Sequence, residues 1–317
     1  MSLLPIVKTF GGDLYAGGRR ANIPAPGHSA ADRSVSLLLS EGRVIIHSFG
    51  AATWQEAHTH LTAHGVIDAD GRLAGAAGDR PVHRNAPTPG RLERRAAAEA
   101  LWAAAFAPRT QSPAGRYCVA RAADHALGRP WAVRSLAAAP VSVYRPSRFV
   151  RPALVCGVSS TDERLTAVEL TYLTPGGGLC PRVRTPRKTI GMLPAGSAVR
   201  LAPAGPELLV GEGVFTALSA MAWFDLPGWA LLSTSNLRRW TPPEGVRRVL
   251  IAADHGPDGE ASARRLQAEL VRSGVVARVA LPPAPFGDWN DWAMAAGDGE
   301  GSGSREEGTG GARLGAG

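Results

Sequence analysis

From residue 206 onward, short apolar runs alternate with longer amphipathic stretches. Residues 208–210, 229–233, 249–253 and 275–281 are apolar runs of strand length, and 214–224 and 260–272 have the spacing of helices. Strands alternating with helices predict a parallel sheet covered on both faces, because each crossover must carry the chain back across the sheet. Upstream the pattern changes. Residues 153–158 and 165–173 are β-rich and lead to a Pro-Gly-Gly-Gly turn at 175–178, which predicts antiparallel strands within 141–202. The alanine-rich stretch 92–106 reads as a helix with Leu101, Trp102 and Phe106 available to pack. Nearer the N-terminus, 34–39 and 43–49 read as two short strands about a Ser-Glu-Gly turn. Thr53 and Glu56 have capping-box spacing and open a helix through Leu61 that Gly65 ends.

Residues 68–90 are rich in Gly, Pro, Asp and Ala, and 297–317 in Gly, Glu, Ser and Arg, so they read as a linker and a disordered tail. The chain divides into a small unit at 1–66, a linker at 67–90, a basic helical and β segment at 91–204, an α/β domain at 205–296 and a tail at 297–317.

Composition narrows the class. With 317 residues, 44% hydrophobic and 20% charged, the chain is built like a soluble globular protein of about two domains. No apolar run approaches the roughly 18 residues that span a bilayer, so no membrane association is expected. The opening MSLLPIVKTF lacks the basic start and cleavage site of a secretory signal. Three scattered cysteines, Cys118, Cys156 and Cys180, suit a reducing cytoplasm rather than a disulfide framework.

Charge changes the picture more. Residues 81–200 hold 18 arginines and lysines against 6 aspartates and glutamates, more than the net +8 of the whole chain. Such a segment is the electrostatic footprint of a polyanion such as nucleic acid. Only Lys8 and Lys188 are lysines, so an arginine-rich composition gives the same bias. Arg182, Arg184, Arg187 and Lys188 partly alternate, which puts several positive charges on one strand face. With Arg151 they are candidates for contacting the phosphates of such a polyanion; a solvated strand face explains them equally well. Tyr144, Phe149 and Tyr172 are candidates for base stacking or for the core.

The acidic residues carry the chemistry. Ligand groups of a parallel sheet gather at the carboxyl ends of its strands. Glu212 follows the first strand, Asp254 ends the third, and Asp288 and Asp291 follow the fourth. Converging carboxylates repel one another unless a cation neutralises them, which points to Mg²⁺ or Mn²⁺ bound through oxygen. Each acid taken alone is equally a solvated loop residue or a helix first-turn acid, as Glu260 is.

These stretches are recognisable. VGEGVFTALSA at 210–220, IAADHGPDGEA at 251–261 and GDWNDW at 287–292 resemble, in order, the three acidic motifs of the Toprim domain shared by bacterial primases, topoisomerases and related nucleases. The phage and mobile-element primase branch is the most similar. The resemblance implies a four-stranded parallel sheet between helices and a magnesium site, with Glu212 as general acid/base, Asp254 as a catalytic metal ligand, and Asp288 or Asp291 assisting. Gly256 stands where the family's D-x-D motif has its second aspartate; either Asp258, two positions on, lends its carboxylate in its place or the ion is held more weakly. The N-terminal unit resembles the zinc ribbon of bacterial-type primases, but Ala25, Ser48 and Ala51 stand where that ribbon has cysteines and only His28 remains. With no thiolate, zinc is not expected, even with His47 and His58 nearby. Packing of Leu37, Leu39, Val44, Ile46, Phe49, Trp54 and Leu61 must then stabilise the unit.

The resemblance implies a primase-like nucleotidyltransferase that acts on single-stranded DNA and nucleoside triphosphates in phage or mobile-element replication. A catalytically impaired nucleic-acid-binding protein and a Toprim nuclease are the alternatives. No G-x-x-x-x-G-K-[ST] motif occurs, so a replicative helicase partner would be encoded separately. Topoisomerase activity is not expected, because the chain is short for strand-passage gates and no tyrosine stands out as a nucleophile.

Overall fold

Alternate apolar positions build the N-terminal sheet. The computed structural model describes residues 1–30, 32–48, 53–74, 89–144, 148–183 and 185–299, and the chain divides into units at 1–88 and 89–317. In the first unit, helix α1 (Leu4–Phe10) precedes strands β1 (Asp13–Tyr15), β2 (Arg20–Ile23), β3 (Val35–Ser40) and β4 (Arg43–Ser48), followed by helix α2 (Trp54–Ala63). The four strands form an antiparallel meander in the order β1-β2-β3-β4. Val35, Leu37 and Leu39 of β3 point inward, while the residues between them stay partly exposed. The capping box of α2 is complete: the Glu56 N–H donates to Thr53 Oγ1 at 3.2 Å, and the Thr53 N–H to Glu56 Oε2 at 2.6 Å.

Three features depart from the sequence reading. Leu3, Ile6, Ala21 and Ile23, from a stretch with no sequence assignment, are core residues. Trp54 is 54% exposed and lies edge-on to His58, because the first position of α2 faces away from the sheet. Residues 67–74 are not linker: Ile67 pairs with Leu73, both are buried, and the Val44 N–H donates to Gly71 O. Phe49, Gly50 and Ala51 lie outside the described residues, as do most of the expected linker and tail.

The second unit opens with helices α3 (Arg91–Ala103) and α4 (Pro113–Ala120). An antiparallel meander follows: β5 (Val133–Pro140), β6 (Val150–Ser159), β7 (Leu165–Tyr172) and β8 (Arg187–Gly191). One face of this sheet packs Val155, Val168, Leu170 and Tyr172 against Ala98 and Leu101 of α3. The other face, with Leu154, Cys156 and Val158, joins Tyr117 and Cys118 of α4 in a core that continues into the C-terminal helices.

A two-residue strand, β9 (Val199–Arg200), then leads into a second sheet: β10 (Glu207–Gly211), helix α5 (Val214–Phe224), β11 (Gly228–Ala230), the short helix α6 (Thr234–Leu237), β12 (Arg248–Ala252), helix α7 (Pro257–Arg272), β13 (Val276–Ala280) and helix α8 (Trp289–Gly299). The strand order is β13-β12-β10-β11-β9. The first four are parallel as expected, but β9 adds an antiparallel fifth at the edge. That edge strand comes from the segment assigned upstream, and the shared core runs across the expected boundary at 204. α5 is predominantly apolar and buries every residue from Val214 to Met221, the hydroxyls of Thr216 and Ser219 included, because it lies between the parallel sheet and α8. No helix among the described residues is long and apolar enough to cross a membrane.

Candidate functional site

Parallel strands leave their carboxyl ends on one rim, and three acidic segments sit there. Glu212 directly follows β10. Its main-chain O accepts from the Leu232 N–H at 2.7 Å, and its carboxylate accepts from the Thr234 N–H at the start of α6. Leu232 reaches this turn with φ +68, a left-handed conformation unusual for a branched-chain residue and of the kind stored at functional sites. Burial raises the Glu212 carboxyl above the usual range and the Asp258 charge adds to this; the Thr234 N–H and Arg238 oppose it.

Asp254 lies just past β12. Its carboxyl is pushed up to about 7, first by burial and then by Asp288 and Glu212; a hydrogen bond from Thr216 opposes the rise and Asp291 adds to it. Asp254 Oδ1 is buried with no hydrogen-bond partner. Such an orphan acceptor needs either a proton or a cation. The neighbouring His255 N–H donates to Gly287 O at 2.8 Å and ties this loop to the third acidic motif.

In that motif Asp288 caps α8, its Oδ1 accepting from the Asp291 N–H at 2.7 Å. The two residues after it are anchors. Trp289 packs on Phe224, and Asn290, fully buried, donates to Arg121 O at 2.6 Å and to Ser219 Oγ at 2.9 Å. Asp291 is exposed.

Asp258 differs from the other acids. It lies in the first turn of α7, where its Oδ1 is ion-paired with Arg238 Nη2. One oxygen of the expected substitute for a second D-x-D aspartate is thus already paired with an arginine. Gly256 has φ +130 and ψ 154, a conformation reserved for glycine, so an aspartate there would require a different backbone.

Among the described residues no three His, Cys, Asp or Glu side chains form a ready metal cage. The rim still suits a hard divalent cation, through carboxylate oxygens alone, one of them an orphan, on mutually repelling groups. The zinc-ribbon-like segment does not suit zinc. Asp32 Oδ2 there accepts from the Ala25 N–H at 2.8 Å and Ser34 Oγ at 2.6 Å, with His28 Nδ1 at 3.6 Å.

Among the described residues, the basic candidates on the strands do not all share one face. Arg187 and Lys188 are adjacent on β8 and point to opposite sides. Lys188 Nζ is turned inward, donating to Val141 O at 2.6 Å and lying 4.7 Å from the Tyr172 ring, and burial lowers its pKa. Arg151 projects to the same side as Lys188, since the register of the sheet aligns it with Ala153 and Leu170. Arg182 is exposed on a loop, and Arg184 lies outside the described residues. Tyr172 belongs to the core, its hydroxyl donating to Pro140 O, and Tyr144 accepts from the Gly191 N–H; Phe149 is exposed.

Arg187 alone among these faces α4. Its Nη2 donates to Tyr117 Oη at 2.7 Å, and the Tyr117 ring meets Phe215 edge-on at 5.3 Å. Arg121 lies 5.5 Å over the same Phe215 ring. Phe215 is three residues past Glu212, so this line of side chains runs from β8 toward the acidic rim. Tyr117, Arg121 and Arg238 were missed in sequence reading because none belongs to a motif. Thr216 had a faint signal, a hydroxyl one helical turn past Glu212.

Residues 207–299 match the Toprim domain family, and residues 92–201 match a family described as Domain of unknown function (DUF7146). No curated protein sequence matches the chain. Solved structures that it resembles include the primase fragment of the bacteriophage T7 primase-helicase protein, at 12% identity, covering 58% of this chain and 67% of that one, with a TM-score of 0.37. The Aquifex aeolicus primase, comprising zinc-binding and RNA polymerase domains, is 13% identical over 95% of this chain and 81% of that one, TM-score 0.45. The RNA polymerase domain of Mycobacterium tuberculosis primase is 15% identical over 66% and 83%, TM-score 0.38.

Proposed function

We propose that this chain, which carries a Toprim domain at 207–299, is a primase-type nucleotidyltransferase that extends a primer on single-stranded DNA from nucleoside triphosphates. The observation that carries the proposal is the acidic rim itself, where the charges of Asp288, Glu212 and Asp291 all act on Asp254 and Asp254 Oδ1 has no partner. Asp254, with Asp288 and Asp291, would hold a magnesium or manganese ion. That ion would supply positive charge to offset the polyphosphate. Glu212, made more basic by burial, receives the proton of the attacking 3′-hydroxyl as the new phosphodiester bond forms and pyrophosphate leaves. Arg187, on the sheet face shared with Tyr117, is a phosphate contact, and Arg151, Arg182 and Arg184 contribute longer-range attraction for the template. A separately encoded helicase would supply the motor that this chain lacks.

A template-dependent primer-synthesis assay with the full chain tests this. Glu212→Gln keeps the side-chain shape and removes the proton acceptor, so synthesis should fall by about a hundredfold or more. Unchanged synthesis refutes the assigned role. A second reading is favoured by Gly256 and by the absence of a preformed cage among the described residues: nucleic-acid binding without catalysis. DNA binding by the wild type with no metal-dependent synthesis selects it, and metal-dependent cleavage without nucleotides selects a nuclease.

A further inference from the structure

The acidic rim has two halves that differ in how their charge is met. On one side stand Asp258 and Glu212. Arg238 emerges there from a rigid stub: α6 is pinned by Asn236, which is 8% exposed, donates to Ser197 O at 2.6 Å and Leu231 O at 2.8 Å, and accepts from the Gly196 N–H at 2.9 Å. Leu237 and Trp240, both buried, flank Arg238 in sequence. Its guanidinium is then fixed at two points on α7. Nε donates to Ser262 Oγ at 2.8 Å, and Nη2 pairs with Asp258 Oδ1. Ser262 is itself fully buried and donates to Asp258 O at 2.5 Å, so the first turn of α7, Ser262 and Arg238 form one interlocked unit. On the other side stands Asp254. The charges acting on it, from Asp288, Glu212 and Asp291, are all negative, and Oδ1 has no partner.

We propose that Arg238 is a built-in cation of the acidic rim, locked against Asp258 where a second divalent ion would otherwise be held, so that the rim binds a single divalent ion on its Asp254–Asp288 side. The proposal rests on the rim being a divalent-ion site and adds its stoichiometry. A guanidinium held by two partners is always charged and has little rotamer freedom left to lose. It cancels the Asp258 charge permanently, and a second divalent ion arriving there would meet a cation. Gly256 fits this arrangement, because the side chain that would enlarge the acidic cluster is missing where Arg238 has already balanced it.

Manganese binding to the full chain, followed by the electron paramagnetic resonance of free Mn²⁺, reads the stoichiometry without reference to activity. The wild type should bind one ion. Asp258→Asn should keep one ion with affinity within about twofold, because Asp258 is not a ligand; Asp254→Asn should weaken it by about tenfold or more. Arg238→Gln should admit a second, weaker ion, and Arg238→Lys, which keeps the charge, should not. Two ions on the wild type, a lost ion in Asp258→Asn, or one ion in a folded Arg238→Gln protein overturns the proposal. If Arg238→Gln does not fold, the wild-type count and the Asp258→Asn affinity decide alone. No ion bound to the wild type instead refutes the divalent-ion reading of the rim, and this proposal falls with it.

Discussion

Two segments of the chain resemble metal-binding motifs, and they treat their polar groups in opposite ways. Around Asp32 in the N-terminal unit the carboxylate is engaged from within the chain: it accepts from Ala25 N–H, Ser34 N–H and Ser34 Oγ, although Ser48 Oγ, on β4 of the same unit, is buried without a partner. At the rim of the parallel sheet, burial and like charges leave Asp254 with a raised pKa and an orphan oxygen. A network satisfied from within stabilises a fold and has nothing left for a ligand, whereas one left unsatisfied lowers stability and is available to bind. The contrast separates a segment whose polar groups hold structure from one whose polar groups can act.

The largest effect that could break this contrast lies in the N-terminal core. Leu61 is completely buried on α2 among Ile6, Leu37 and Ile67. Leu61→Ala should cost about 2–5 kcal/mol through lost burial and the cavity left behind. Amide hydrogen exchange in β3 and β4 of the full chain measures it, and chelator should add nothing to the loss. A chelator effect as large as the mutation would mean that metal, not packing, holds the unit.

The next effect belongs to the rim and depends on pH. A carboxyl whose pKa is raised on folding keeps a proton that the unfolded chain releases, so its contribution to stability declines as pH rises from about 4 to about 7 and is flat above that. The full shift would correspond to about 4 kcal/mol; partial exposure to solvent reduces this to about 1–2 kcal/mol. Asp254→Asn should therefore melt higher than the wild type at pH 8 in chelator, the two should converge at pH 4, and Mg²⁺ should narrow the gap at pH 8 by stabilising only the wild type. An Asp254→Asn protein that melts lower at pH 8 without metal would show that the rim is satisfied after all, and the contrast would fail.

The parallel half of the fold was legible because its signals are dense. The apolar runs that became β10 and β12 are bounded by turns, and α5 is apolar at most positions over a helical length, so strand and helix periods do not compete. β5 was not legible, since its sequence VRSLAAAP is alanine-rich and has little β preference; pairing with β6 overrides that preference. α4 is only eight residues long and contains a glycine, below the length at which periodicity speaks. The acidic positions could be read from strand ends, which topology fixes. Arg238 could not, because its meaning comes from Asp258 and Ser262, some twenty residues away, and no local pattern encodes that meeting. The basic stretch was only partly legible for the same reason: alternation says that neighbours oppose each other, but only the packed sheet shows that Lys188 spends its ammonium on Val141 O.

The smallest effect sharpens the other side of the contrast. Burial alone would raise the Asp32 carboxyl, but hydrogen bonds from the Ala25 N–H, Ser34 Oγ and the Arg33 N–H, with the His28 charge, outweigh it and the pKa is lowered. A depressed folded pKa gives stability that is present above the ordinary aspartate range and is lost as pH falls through the folded value. Asp32→Ala leaves the Ala25 N–H without an acceptor and should cost about 1 kcal/mol, and Asp32→Asn, which keeps an acceptor oxygen but not the charge, about half of that. Exchange of the Ala25 amide in the full chain reads this directly. Acid should bring the wild type to the level of Asp32→Asn, since protonation removes the charge but leaves an acceptor oxygen, while zinc should leave all three proteins alike. Protection of Ala25 that survives in Asp32→Ala, or that zinc restores, would mean that the loop is held by something other than this carboxylate.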